Sequence, residues 1–334
     1  MEIIFTAKTL GNQILEENQI DAYTQAIFSI YNTIKEVLDL SLLNSIIITE
    51  EYKEGLFDFQ KKNGHDEFIT DNEYGRGIAQ VVSSEAECGE TVYNIIIDKN
   101  LISMLVGDEQ LEAVKSNLKS QEEYNVFLKS RQLAINTLYH EFGHVYEYSL
   151  NRTIEWIQNK EIKTDLFSQL TVIAQQCWSE YFACRIASKS FPFDETTAIE
   201  IIETCNTAEK ELQKERSKYN RRLVGLDEFV IGFHEYTNFI LKKIASSHGN
   251  LYCLNDSREK VIDLLEESFG ESYIKAIWID FGKMLDELFE QYPNWKSDYV
   301  FKEISELFLK YYEQFEIYIS ETPEGIYYDI PVRL

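Results

Sequence analysis

The chain has 334 residues, 44% hydrophobic and 27% charged, which is enough apolar material for one large or two ordinary domains with real cores. Its formal net charge of −25 argues against nucleic acid and anionic membranes as partners, because both select basic surfaces. No apolar run reaches the roughly 18 residues that a membrane span needs. The opening residues lack a basic stretch leading into an apolar one, and the five scattered cysteines (Cys88, Cys177, Cys184, Cys205, Cys253) include no C-x-x-C pair, so a reduced, cytoplasmic protein is expected.

In chain order, residues 20–40 carry apolar side chains at helical spacing, and LNSIIITE (43–50) is a β-branched run that predicts a buried strand. Residues 51–75 read as a polar connection with turns at Asn63-Gly64 and Tyr74-Gly75. GIAQVVSS (77–84) and TVYNIIIDK (91–99) read as strands, and the AECGE link between them, with Gly89, predicts a hairpin. After Asp108 the pattern turns helical. Long helices are expected over 130–150 and 165–191, then further ones at 194–220, 227–247, 258–268, 273–290 and 297–318, with Ser257 and Ser272 as caps. The closing GIYYDIPVRL looks extended. The fold class that follows is α+β and mostly helical. A mixed α/β part should occupy 1–191, and an all-helical part with an extended tail 192–334, the boundary lying near Pro192.

The chemistry concentrates in YHEFGHVYE, 139–147. His140 and His144 stand four residues apart, so on a helix they share one face, with Glu141 beside the first. Zinc takes neutral imidazoles and leaves a coordination position for water in hydrolases, and a neighbouring carboxylate can move that water's proton. Leu133, Leu138, Phe142 and Val145 make the helix partly buried. Glu147, seven residues after His140, either supports a ligand or is solvated. A third ligand is required. The extension H-x-x-G-x-x-H is excluded, since Glu147 and Leu150 occupy its glycine and last histidine positions. Glu180, in QQCWSEYFACRIAS, lies in an apolar stripe of Ile173, Cys177, Ala183, Cys184 and Ala187, and a carboxylate there needs a cation. That cation is either a metal ion or an arginine, Arg185 or Arg131.

H-E-F-G-H followed by W-S-E-Y-F-A resembles the gluzincin branch of the zincin metallopeptidases, over about residues 91–190. A narrower similarity is to small bacterial and phage-island zincins of the ImmA/IrrE type. The chain departs from the gluzincin pattern at Cys184, where an aspartate is common, and in the 36 residues from His144 to Glu180. The resemblance implies a small zincin-like sheet, an active-site helix and a helical lower part, with the cleft between them. It implies Zn2+ held by His140, His144 and Glu180, Glu141 as general base, and a peptide or protein substrate laid along TVYNIIID as an edge strand. It also implies a histidine or tyrosine that stabilises the oxyanion, for which His234, next to Tyr236, is the candidate. Two alternatives stay open: a catalytically weak zincin-fold binding or regulatory protein, and a deformylase-like amide hydrolase in which Cys88, after GRGIA (75–79), is the third ligand.

Overall fold

The computed structural model describes every residue except 11–12, 69–76, 108–109, 159–163, 191–194 and 332–334. The turn expected at Tyr74-Gly75 and the boundary expected at Pro192 lie outside the described residues. The fold is α+β and mostly helical. Two compact units are present, Met1–Ser149 with Lys189–Phe191, and Leu150–Ser188 with Pro192–Leu334.

The first unit contains β1 (Glu2–Phe5), the ribbon β2 (Thr9–Leu10) and β3 (Gln13–Ile14), α1 (Glu17–Ile34), β4 (Leu43–Thr49), α2 (Tyr52–Lys62), β5 (Ala79–Glu85), β6 (Thr91–Asp98), α3 (Lys99–Ile102), α4 (Leu111–Asn117) and most of α5 (Gln121–Asn151). Its sheet runs β1-β4-β6-β5, with β1, β4 and β6 parallel and β5 antiparallel. Ile46, Ile48, Ile95, Ile96 and Ile97 are fully buried, the continuous apolar run of a strand covered on both faces. The β5–β6 hairpin forms as expected, with Gly89 at φ +81 in its turn and Ala86 N–H donating to Glu90 O at 2.8 Å. The expectation that residues 91–98 form an edge strand is corrected: β6 is interior, paired on both sides, and β5 is the edge. Within the connection expected over 51–75, residues 52–62 are helix α2, because Tyr52, Leu56 and Gln60 recur one turn apart and bury one face. Gly64 at φ +76 turns the chain just beyond it.

Helix α5 is 31 residues long and buries Ala134, Leu138, Phe142 and Val145. It meets α1 through Tyr31 and Phe142, edge to face at 6.2 Å, and β6 through Tyr93 and Tyr148.

The second unit comprises α6 (Glu155–Gln158), α7 (Leu166–Ala187), α8 (Glu195–Asn220), α9 (Leu226–Leu251), α10 (Arg258–Ser268), α11 (Trp278–Gln291), α12 (Lys302–Glu313) and the hairpin β7 (Tyr318–Thr322) with β8 (Gly325–Asp329). Helix α7, grouped with the sheet in the sequence reading, belongs here because it packs tightly on α9. A Cβ at Gly249 would stand 2.4 Å from Tyr181 O, so only glycine permits that approach. Arg185 anchors α7 to α11, donating to Asp286 at 3.0 Å with its guanidinium over the Phe289 ring at 3.6 Å. The two last expected helices open with 3-10 turns, Tyr273–Ala276 and Asp298–Phe301. Ser272 caps the first of these, as expected, accepting from Ile274 N–H. The extended tail pairs as β8, and Arg216 donates to Pro331 O beyond it at 2.5 Å. Among the described residues no helix is long and apolar enough to cross a membrane.

Candidate metal centre

One helical turn separates His140 from His144 on α5, and their rings converge. The two Nε2 atoms lie 3.1 Å apart, with the ring planes at 89°. At that distance both nitrogens cannot carry hydrogens, so at least one lone pair faces the other ring. Two imidazole nitrogens at 2.0–2.1 Å from one tetrahedral zinc would be about 3.3 Å apart, so the observed spacing fits ligation with little adjustment. Both imidazoles are half-buried, whereas Glu141 and Glu147 are buried at 5% and 3% exposure. Glu147 Oε2 stands 4.0 Å from His144 Nδ1. The far side of that imidazole therefore faces a carboxylate, which favours the tautomer with its lone pair at Nε2.

Among the described residues, His140 and His144 of the first unit and Glu180 of the second are the three-residue group that offers donor atoms for a metal ion. Two nitrogens and a carboxylate oxygen are a donor set that zinc accepts. The apolar stripe around Glu180 is as the sequence indicated, with Cys177, Ala183, Cys184 and Ala187 buried. Burial first, and the charge of Glu180 with it, pushes the Cys177 thiol up and that of Cys184 up to about 12. The flanking sulfurs are therefore protonated, which leaves Glu180 as the oxygen donor on this face. Arg185, one candidate counter-ion, is engaged by Asp286 and Glu290.

No family model, curated protein or solved structure matches this chain. The site therefore rests on its own chemistry.

The other expected site residues fall elsewhere. His234, on α9, has Nε2 2.7 Å from the Tyr328 hydroxyl of β8 and packs against Phe233 and Tyr312. Burial lowers its pKa, and it is not a member of the three-residue group. Cys88 is exposed in the β5–β6 turn, its Sγ 3.8 Å from Glu90 Oε2, and is likewise outside that group. Two neighbours of the site were missed. Tyr148 lies near-parallel to the His144 ring, at 22° and 6.4 Å, and Tyr93 of β6 stacks on Tyr148 at 25° and 4.6 Å. The position of Tyr148, four residues after His144, was a readable signal. That of Tyr93, on a distant strand, was not.

Proposed function

We propose that the chain is a zinc-dependent metallohydrolase, a peptidase of the zincin type, acting on a peptide or protein substrate. The observation that carries this reading is the convergence of the His140 and His144 Nε2 atoms to 3.1 Å, with buried Glu141 next in sequence. His140, His144 and Glu180 would hold the ion. Zinc bound there supplies a Lewis acid and lowers the pKa of water. The Glu141 carboxylate takes the proton from the attacking water as its oxygen joins the scissile carbonyl carbon. It then hands that proton to the amine nitrogen as the C–N bond breaks. Glu147, beside His144 Nδ1, holds that imidazole in the ligating tautomer.

The test is metal content of the purified protein by elemental analysis, together with cleavage of a peptide library. About one zinc per chain, lost in His144→Ala and Glu180→Ala and retained in Glu141→Gln without cleavage, is the expected result. A wild-type protein that takes up no zinc when offered it overturns the reading. Zinc retained in Glu180→Ala but lost in His144→Ala moves the third ligand to another residue.

A further inference from the structure

Resting on the metal reading above, we infer that Tyr148, backed by Tyr93, is a positioning residue for His144. The two tyrosines fix the plane of that imidazole so that its Nε2 stays turned toward His140. A histidine on a helix has a broad, two-fold terminal torsion, so side-chain spacing alone brings two imidazoles to one face without setting how they are turned. Two contacts set it here. Glu147 Oε2, 4.0 Å from Nδ1, selects which ring edge points away from His140. The aromatic stack selects the plane: Tyr148 is at 22° to the His144 ring, and Tyr93 is at 25° to Tyr148.

The outer ring of that stack is carried by β6, an interior strand hydrogen-bonded on both sides. The stack thus ties a ligand imidazole to the most firmly held part of the sheet. With the His144 plane held, the two rings stand at 89° and their Nε2 atoms approach to 3.1 Å. Offset aromatic stacking favours such near-parallel arrangements. Groups that orient a metal-bound histidine typically change metal affinity by about 10–100-fold when removed.

Co2+ is the probe, added to the metal-free protein in competition with a chelator of known affinity. Its visible d–d absorption reports ligand geometry directly. Tyr148→Leu should weaken Co2+ binding about tenfold and shift the d–d bands, while Tyr148→Phe, which keeps the ring, should match wild type in both. Tyr93→Leu should weaken binding about threefold, with no further loss when added to Tyr148→Leu, because Tyr93 acts through Tyr148. Thermal unfolding of each metal-free variant separates this from a general loss of fold. The inference is overturned if Tyr148→Leu keeps wild-type affinity and spectrum, if Tyr148→Phe fails as badly as Tyr148→Leu, or if weaker binding merely tracks the fraction unfolded. Wild-type protein with no His144-dependent Co2+ binding would instead sink the metal reading itself, and this inference with it.

Discussion

Helices α5 and α9 each carry two histidines, and they treat them in opposite ways. On α5 the spacing is four residues, so the rings share a face and two nitrogens converge at 3.1 Å. On α9, His234 and His248 are 14 residues apart, about 21 Å along a helix, and each is absorbed locally. His234 meets the Tyr328 hydroxyl, while His248 has Nε2 3.0 Å from Trp278 O and its ring on the Trp278 indole at 4.1 Å. The buried carboxylates divide in the same way. Glu209 of α8 accepts from the Ser272 and Tyr311 hydroxyls and from the N–H groups of Tyr273 and Ile274. Glu141 sits on the turn that bears the converging imidazoles. Glu209 and the α9 histidines serve the fold, and the convergence of two imidazole nitrogens is what marks the α5 side.

The largest effect should come from breaking the α5 side. Glu141→Gln is expected to lower peptide turnover by about 10²–10⁴-fold with zinc content unchanged, measured by single-turnover kinetics beside elemental analysis. The same loss with zinc also gone would make Glu141 a structural support and not the base. On the other side, Glu209→Ala removes the acceptor of four donors, of which Ile274 N–H keeps Ser272 Oγ, and should cost about 3 kcal/mol in denaturant unfolding, with metal uptake unaltered. Stability close to wild type would mean that water replaces the carboxylate.

Gly249→Ala sharpens the comparison from within the helical unit. The new Cβ meets backbone, Tyr181 O at 2.4 Å and Arg185 N at 3.0 Å, so neither neighbour can rotate away. A loss of about 1–3 kcal/mol is expected, read as a lower unfolding midpoint. A neutral substitution would show that α7 and α9 separate at little cost.

The α5 side was readable in the sequence because everything it needs is local: a four-residue spacing, an adjacent glutamate and an apolar repeat on one helix. Glu180 was readable for a similar reason, as a charge set in an apolar stripe. Strand order was not. That β6 is interior depends on its pairing with β4, some 50 residues earlier, in addition to β5, and no local pattern encodes it. β1 itself is only Glu2–Phe5, too short to stand out. The amphipathic repeat of α2 was present at Tyr52, Leu56 and Gln60 but hidden by the charged residues between them.

The smallest effect tests His234, for which the sequence suggested a catalytic role and the structure offers a hairpin anchor. His234→Phe removes the hydrogen bond to Tyr328 and should cost about 1 kcal/mol while leaving zinc content and turnover near wild type. Its pH dependence has a defined sign. Burial holds the folded-state pKa below the ordinary 6.5, so as pH falls through 6.5 the unfolded chain takes up a proton that the folded chain resists. Wild-type stability should therefore fall as the pH drops below 6.5, and this part of the fall should be absent in His234→Phe. Burial shifts Glu209 the other way, above its ordinary 4.5. Its contribution is fully present below that value and is lost as pH rises, so the two groups can be separated in one titration. A large drop in turnover for His234→Phe, with zinc and stability intact, would return His234 to the chemistry and show that a histidine bonded to the β7–β8 hairpin can still take part in it.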